Sequence, residues 1–390
     1  MKLQKTKIKQ KVVWDNFSLL EMTVRRVMET IKISSFQLFS LIYLFELGSA
    51  ILIGIGSSVK QDAWIVMLIG LMSGLLLFLI YHRLFLYYPD LPLTSYVQQL
   101  TGKFLGRILG FIYIIYFIYD ASRVLRDFGE LLTTTIYTNT PLFVINTLMI
   151  LTSIYAIHKG LEVLGRVGEL YFIAVFFMSI LGFFLILFSG IIHLENLKPI
   201  LENCYIPVLK TSLYESVLYP FGEMIVFSMI LPQINEFKKA KNVCLLAILL
   251  SGIDLAIATI INIASLGVDA YVRSPFPLFS TIRKIHFLRP DVLFMLQLVI
   301  GGFFKITLFF YAAVTGVTDI FRFKNPRALS FPIGFIILFA SMGIASSTAE
   351  HFKEGNKTSY LYWPVEIIIP MLLFLIAYFK NKKKQLQANK

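Results

Sequence analysis

The chain has 390 residues, of which 57% are hydrophobic, and its formal net charge is +13. Soluble domains are only about 45–50% apolar, so this composition indicates one polytopic membrane domain rather than several soluble ones. The Lys and Arg residues collect in alternate loops and at the two ends, as in membrane topogenesis, so the charge is not a signal for nucleic acid. Two cysteines, Cys204 and Cys244, form neither a disulfide framework nor a metal-binding motif.

The two ends of the chain are basic and flank a long apolar region. Residues 1–35 are predicted to form a cytoplasmic tail, and residues 381–390 form a second basic tail on the same side. No cleavable signal peptide is recognised. The region between them, 36–380, is predicted to be a ten-helix membrane domain, with lipids as its surroundings.

Ten segments have the length of roughly 20 residues that a bilayer core requires. They lie near residues 36–56, 64–82, 108–132, 142–158, 169–192, 213–235, 243–266, 291–320, 329–347 and 361–380. An even number of spans puts both termini on one side, and the distribution of Lys and Arg predicts that this side is the cytoplasm.

The first and sixth spans are interrupted near their middles. Glu46, Gly48 and Ser49 interrupt the first span, and Pro220 and Gly222, followed by Glu223, interrupt the sixth. Pro removes a backbone donor and Gly tolerates non-helical geometry, so both helices are predicted to break. A broken backbone at membrane depth is tolerated where protein or a watery cavity surrounds it. The alternatives are a simple proline kink in the sixth span and glycines that serve helix packing in the first.

Equivalent interruptions at the start of two five-span halves are typical of an inverted repeat with a central ligand site. The halves are predicted near residues 36–192 and 213–380. The fold class is therefore an all-α polytopic membrane protein with a five-plus-five inverted repeat and broken helices 1 and 6.

The third span carries a stripe of charged residues at helical spacing. Its members are Asp120, Arg123, Arg126, Asp127 and Glu130. The spacing predicts Arg123–Asp127, Arg126–Glu130 and Asp120–Arg123 pairs, and the stripe must avoid lipid. It is either a set of self-neutralised pairs near the outer surface or the wall of a hydrophilic path from outside, with Tyr119 and Asp127 at its depth.

Three further segments bear on the site. Residues 84–103 are predicted to lie along the inner surface rather than to cross the membrane. The loop 268–290 is predicted to form a short amphipathic helix that covers the ligand path as an outer lid. Lys305 is buried deep in the eighth span, where an ammonium needs a partner, and Asp254 or Glu223 could supply it.

The sequence contains none of the common catalytic motifs. The chain has no P-loop, GxSxG or HExxH motif and no nucleophile–base arrangement on one element. Five histidines fall at span edges or in loops and are interpreted as interfacial residues: His82, His158, His193, His286 and His351. The sequence therefore predicts that the protein is not an enzyme and has neither a cofactor nor a metal site.

Several spaced blocks resemble the B-type subunit of bacterial spore germinant receptors. They are ISSFQLFSLIYLFELGSAIL with QDAWI, then YPFGEMIVFSMILPQIN, then RPDVLF and FFKITLFFYAAVTG, over about residues 33–379. That family is similar to the amino acid–polyamine–organocation transporters, which have the five-plus-five fold. The resemblance implies a protein of the spore inner membrane that recognises a small-molecule germinant. It also implies an A-type subunit and a lipoprotein C-type subunit as partners, with no nucleic acid.

The resemblance also implies a site between the two broken spans. Gly48 and Ser49 would offer freed backbone amides to a ligand carboxylate, since helix N-termini favour anions. Phe221 would limit the size of the ligand, and Glu223 would hold an ammonium group or take part in gating. The candidate ligand-binding residues are Gly48, Ser49, Tyr119, Tyr219, Pro220, Phe221, Gly222 and Glu223. The candidate coupling and gating residues are Asp127 and Lys305, the fixed charge of Lys305 replacing a coupling cation.

Three functions remain open at this stage. The first is a sensor that binds a small nutrient, with an amino acid favoured, and changes conformation without turnover. The second is a secondary transporter for an amino acid or similar solute. The third is a scaffold that binds no ligand. The fold does not separate the first two, and only the family resemblance favours the sensor.

Overall fold

The structure is a computed structural model that describes residues 32–202, 204–285, 291–345, 347–348, 350–351 and 360–388, with side chains up to residue 382. Residues 1–31, the last two residues of the C-terminal tail and His286 lie outside the described residues. Across the described ranges the secondary structure is helical, apart from one isolated bridge between Ile33 and Ile234.

Thirteen α-helices make up the described chain. They are α1 Ser35–Leu47, α2 Ala63–Tyr87, α3 Leu93–Thr101, α4 Lys103–Thr135, α5 Leu142–Lys159, α6 Leu161–Phe188, α7 Tyr205–Tyr214, α8 Phe237–Leu266, α9 Val268–Arg273, α10 Pro277–Arg283, α11 Asp291–Phe321, α12 Ser330–Gly343 and α13 Ile369–Ala388. Short 3₁₀ turns occupy Ser57–Asp62, Leu194–Leu197, Phe221–Met229, Leu231–Gln233 and Pro326–Leu329, and a π-helix occupies Trp363–Ile368.

Eight helices in the described chain are long and apolar enough to cross a membrane. They correspond to the second to fifth and the seventh to tenth predicted spans. The other two predicted spans are not continuous helices, as expected. A capping box at Ser34 begins α1, which ends at Leu47, and turns follow as far as Gly56. The sixth span consists of α7, a run of turns and the 3₁₀ segment Phe221–Met229.

The break in the sixth span is therefore more than a kink in one helix. The chain leaves α-helical geometry after Tyr214 and does not return to it before Phe237. Pro220 offers no amide hydrogen, and Gly222 places no side chain against its neighbours, so the local sequence opposes a regular helix.

The two broken spans lie at the centre of the bundle. The helix α1 packs against α6, α8 and α11, and the segment Phe221–Met229 packs against α2 and α11. At the closest point a Cβ on Gly301 of α11 would lie 3.2 Å from the Cα of Gly48. Glycine at both positions lets the backbones of α11 and the first span touch, which brings side chains of α11 to the break.

Both ends of the broken spans are tied by hydrogen bonds. At the predicted inner end, the Ile33 amide donates to the Gln233 carbonyl (2.8 Å) and the Asn235 amide to the Ile33 carbonyl (3.0 Å). At the predicted outer end, the Gly56 amide donates to Oε2 of Glu215 (2.8 Å). The two spans are thus held together on either side of their breaks.

Two other predicted segments are present as short helices. Residues 84–103 include α3, whose nine residues are too few to cross a bilayer. Thr94 and Ser95 of α3 donate hydrogen bonds to Asp319 at the end of α11, both at 2.6 Å. The loop 268–290 contains α9 and α10, and the Tyr271 hydroxyl donates to the Ile55 carbonyl (3.1 Å), beside the break in the first span.

Candidate functional site

Lys305 joins the two broken spans. It lies on α11, is fully buried, and its Nζ is 2.5 Å from Oε2 of Glu223. Of the two predicted partners, Glu223 is therefore the one that pairs with Lys305. Asp254, the other, instead accepts a hydrogen bond from the Tyr43 hydroxyl at 2.5 Å. A buried ammonium in membrane needs such a carboxylate, because no water compensates its charge there.

The Lys305 side chain also packs on residues of both breaks. Its Cδ would lie 2.8 Å from a Cβ on Gly48, so only glycine leaves room for it there. Its Nζ lies 5.0 Å from the centre of the Phe45 ring and 4.4 Å from that of Tyr219. Ring faces attract cations, so both rings add to the attraction of Glu223. One lysine thus contacts the first span, the sixth span and α11.

The backbone amides of Gly48 and Gly222 are not free, which corrects the expectation for Gly48. Its amide donates to the Leu44 carbonyl at 3.0 Å, because α1 continues its hydrogen-bond pattern through its cap. The Gly222 amide donates to the Leu218 carbonyl at 2.9 Å. The hydroxyl groups of Ser49 and Tyr219, one from each break, lie close together. What the first span presents at the break is the C-terminal end of α1.

Glu366 forms another wall of the site. It belongs to the π-helix that precedes α13 and is fully buried. Its Oε2 would lie only 2.1 Å from a Cβ on Gly222. Its Oε1 accepts a hydrogen bond from the Tyr116 hydroxyl at 2.7 Å, and its carbonyl accepts one from the Tyr81 hydroxyl at 2.5 Å. The tenth span therefore contributes a carboxylate directly beside the break in the sixth.

The charged stripe of α4 begins next to this site. Asp120 is buried and accepts a hydrogen bond from the Tyr362 hydroxyl at 2.7 Å. It interacts electrostatically with Glu223 and with Arg123. The Arg123 guanidinium lies 6.0 Å from the centre of the Tyr119 ring, and Tyr119 is half-buried. Asp120 thus faces the interior of the bundle, as both interpretations of the stripe require.

Further along α4 the predicted pairs are only partly right. Arg126 and Glu130 form a buried ion pair at 2.6 Å, as the spacing predicts. Asp127 does not pair with Arg123 but with His351, whose Nε2 is 2.6 Å from Oδ1 of Asp127. The interpretation of His351 as an interfacial residue is wrong, since its side chain is fully buried. A buried carboxylate requires a hydrogen-bond partner, and His351 supplies it.

Two predicted residues take other positions. The Phe221 side chain lies against α2, where a Cβ on Gly74 would be 2.4 Å from the Cβ of Phe221. Pro220, the residue before Phe221 in the chain, is buried. The structure thus brings together Gly48, Tyr219, Glu223 and Lys305, while it places Phe221 against α2 and Asp127 with His351.

Within the part of the chain that the structure describes, no three His, Cys, Asp or Glu side chains are grouped as joint ligands of a metal ion.

The sequence profile of the family described as "Spore germination protein" matches residues 32–349. This chain belongs to the spore germination protein family. It is 43% identical over 364 residues to "Spore germination protein KB" of Bacillus subtilis (strain 168), covering 92% of this chain and 98% of that protein. It is 23% identical over 333 residues to "Spore germination protein YndE" of the same organism, covering 83% of this chain and 89% of that protein.

Solved transporters share the fold of this spore germination protein. Mhp1, a nucleobase-cation-symport-1 family transporter in a closed conformation with bromovinylhydantoin bound, superposes with a TM-score of 0.65 at 13% identity, over 86% of this chain and 77% of that one. MhsT in complex with L-phenylalanine superposes with a TM-score of 0.66 at 11% identity, over 88% and 87%. The predicted transporter-like fold with broken helices 1 and 6 is thereby confirmed. These relatives are germination or transport proteins of membranes, not enzymes.

Sequence reasoning missed Glu366 and His351. Glu366 follows Pro364 inside an apolar span, which is the same signal that drew attention to Glu223. An acidic residue within a membrane span is a functional-site hypothesis by default, so Glu366 could have been found in this way. His351 has no comparable signal, because only the fold returns the segment after α12 to α4.

Replacing His351 by alanine is expected to lower the melting temperature of the purified protein. The variant leaves the buried Asp127 carboxylate without its imidazole partner, a loss of about 1–3 kcal/mol. Thermal unfolding in detergent, followed by tryptophan fluorescence, measures the change. His193, which lies in a connecting segment, supplies the control variant His193→Ala, and an equal shift in both variants would contradict the role of the buried pair.

Proposed function

We propose that this spore germination protein is the integral membrane subunit of a nutrient germinant receptor. It binds a small nutrient, with an amino acid as the favoured class, between its two broken spans, and binding triggers spore germination. The observation that carries the proposal is the contact of Lys305 with both breaks, in a chain of this family. Candidate ligand-binding residues are Gly48, Ser49, Tyr119, Tyr219, Pro220, Phe221, Gly222 and Glu223, with Asp127 and Lys305 in coupling and gating.

The geometry suits a sensor. A ligand shifts a two-state protein only by its different affinity for the two states. A ligand that enters between the breaks must change the contacts of Lys305 with Glu223, Gly48 or Tyr219, because these three residues lie directly against the Lys305 side chain. Ligand binding is therefore linked to the relative position of the first span, the sixth span and α11, without any need for solute turnover.

The setting of the protein forms part of the same proposal. We place it in the spore inner membrane, with both termini on the side of the spore core, as the basic ends suggest. It would act with an A-type subunit and a lipoprotein C-type subunit. Its relatives in Bacillus subtilis include "Spore germination protein A2" and "Spore germination protein B2", which supports a family of parallel receptors.

Deleting the gene from a spore-former is expected to abolish the response to one germinant. The readout is release of dipicolinic acid against a panel of amino acids, sugars and nucleosides. Wild-type protein should restore the response, and Glu223→Gln at a normal level should not, because Lys305 then loses its charged partner. Glu162→Gln is the control, since Glu162 pairs with Arg166 at the surface. Normal germination of the deletion strain with every germinant would contradict the proposal.

A secondary transporter is the alternative, and the likeness to Mhp1 and MhsT favours it. The transporter function predicts that liposomes containing the purified protein accumulate a labelled solute. That solute is the one to which the spores respond in the germinant panel. The sensor predicts saturable binding of that solute without accumulation. A scaffold predicts neither, and it predicts that variants at Glu223 act only through the amount of folded protein.

A further inference from the structure

The region between the breaks contains more buried carboxyl groups than cationic groups. Three glutamates from three elements surround Lys305, namely Glu46 at the end of α1, Glu223 in the sixth span and Glu366 in the π-helix. Glu223 forms an ion pair with Lys305, and Glu46 and Glu366 interact electrostatically with Lys305. We refer to these four residues as the glutamate cluster. The Lys305 ammonium forms an ion pair with only one of the three carboxyl groups, that of Glu223.

The nearest other cationic groups do not pair with Glu46. Arg123 interacts with Asp120, Asp127 and Glu223, so it is shared among three carboxyl groups. Arg126 is paired with Glu130. The remaining positive charges of the described chain belong to surface loops and helix ends, which are separated from the cluster by the apolar core.

Among the residues that the structure describes, Glu46 is the member of the cluster whose carboxyl group has neither a hydrogen-bond donor nor a cation in an ion pair with it. Its side chain is 0% exposed, and among the residues that the structure describes none donates a hydrogen bond to either of its carboxylate oxygens. Glu366, by contrast, accepts the Tyr116 hydroxyl, and Glu223 has the Lys305 ammonium. A buried carboxyl group without a donor or a cation avoids the cost of its charge by keeping a proton, so a bound cation that replaces this proton would complete the position.

The backbone beside Glu46 has the same electrostatic preference. Glu46 lies in the last turn of α1, which ends at Leu47 and carries no basic residue there. The C-terminal end of a helix bears a partial negative charge and favours cations. Unwound carbonyls and half-helix C-terminal ends coordinate cations in transporters that are built in this way. An anionic ligand group would be repelled by this end of α1 and by all three glutamates.

We propose that Glu46 is a binding site for one monovalent positive charge, which is taken up together with the germinant. The charge comes either from a primary ammonium group of the germinant itself or from a free K⁺ or Na⁺ ion. Carboxylate and carbonyl oxygens bind both kinds of cation. This inference rests on the proposed function and names the charge of what the site takes up. The added cation balances Glu46 and, through its repulsion of Lys305, weakens the ion pair that holds the two breaks together.

Thermal unfolding of the full-length protein in lipid nanodiscs tests the proposal. The probes are ammonium, potassium and sodium chloride against choline chloride, whose cation is too bulky for the cluster. The twenty amino acids are added in choline buffer and compared with L-lactate, glucose and inosine. Stabilisation by amino acids in choline buffer assigns the charge to the ammonium of the ligand. Saturable stabilisation by K⁺ or Na⁺ above that by choline assigns it to a free ion.

Glu46→Gln decides whether Glu46 is the site. We expect the half-saturating cation concentration to rise roughly tenfold or more, as the loss of one charged contact implies. Glu162→Gln should leave it unchanged. Without a cation the Glu46→Gln protein should melt at or above the wild-type temperature, because glutamine replaces a buried carboxyl group that has neither a donor nor a paired cation. A variant that does not fold, an unchanged cation dependence, or no cation effect above that of choline would each overturn the proposal.

Spores separate this inference from the proposed function. Spores with Glu46→Gln should need a roughly tenfold higher germinant or cation concentration for release of dipicolinic acid. If gene deletion abolishes a response that Glu46→Gln leaves unchanged, the receptor function holds and the cation site is excluded. If the deletion strain germinates normally with every germinant, the proposed function itself fails.

Discussion

Replacing Lys305 by methionine is expected to abolish the germinant response and to destabilise the protein by about 3–5 kcal/mol. Methionine fills much of the same space but leaves the Glu223 carboxylate buried without its cation. Breaking one half of a buried ion pair is costly because the remaining charge has neither water nor a partner. The measurements are thermal unfolding of the purified protein and dipicolinic acid release from spores that contain equal amounts of the variant.

A second substitution separates the charge effect from the packing effect. In Lys305→Met combined with Glu223→Gln, neither member of the ion pair is left charged without the other, so most of the lost stability should return. The germinant response should stay absent, because the contact that joins the two breaks is missing. If Lys305→Met left both germinant binding and germination unchanged, Lys305 would have no part in coupling. Equal destabilisation by the single and double variants would locate the effect in packing against Phe45 and Tyr219.

Replacing Gly222 by alanine is expected to disrupt the site from the other side. The new Cβ would lie 2.1 Å from Oε2 of Glu366 and 3.0 Å from the Val217 carbonyl oxygen. The carboxylate can rotate away only by giving up its place beside Tyr116, and the backbone oxygen cannot move alone. Overpacking of this kind costs about 1–3 kcal/mol, and we expect the spores to lose the germinant response.

Gly343 provides the matched control for this variant. It lies at the end of α12, and a Cβ there meets no atom within 4 Å, so Gly343→Ala should behave as wild type. Combining Gly222→Ala with Glu366→Ala removes the closest clash and should restore part of the melting temperature. A normal response in Gly222→Ala spores would show that the contact between the sixth and tenth spans has no role in sensing.

The break in the sixth span shows how far local sequence reasoning reaches. Pro220 and Gly222 weaken a helix locally, because one lacks an amide hydrogen and the other lacks a side chain that restricts the backbone. The break could therefore be predicted without any neighbour. In the first span Gly48 and Ser49 weaken the helix in the same way, and the structure ends α1 directly before them.

The expectation of a free amide at Gly48 was wrong for a physical reason. A broken helix frees amides on one side of the break and carbonyls on the other, and spacing alone does not tell which side faces the site. The amide of Gly48 turned out to be bonded to the Leu44 carbonyl, so α1 presents its C-terminal end to the cluster. The electrostatic preference there is for a cation, whereas the sequence analysis had expected a carboxylate.

The ion pairs of α4 also include one that the sequence predicts and one that it does not. Arg126 and Glu130 are four residues apart on one helix, so their ion pair follows from helical geometry alone. Asp127 is also four residues from Arg123, yet it pairs with His351, which lies 224 positions further along the chain. Helical spacing makes a contact available, and the packing of a distant segment decides whether it is used.

The sequence by itself determined the number and length of the spans, the two breaks and the presence of a buried lysine that needed a carboxylate. Each of these follows from local properties, namely apolar length, backbone chemistry and the penalty for a charge in membrane. Only the tertiary structure decided that Glu223 and not Asp254 pairs with Lys305, that Glu366 adjoins Gly222, and that Glu46 has no hydrogen-bond partner among the described residues. These depend on which helix faces meet across the bundle, and that is set by close approaches such as Gly48 to Gly301, which join residues far apart in the chain.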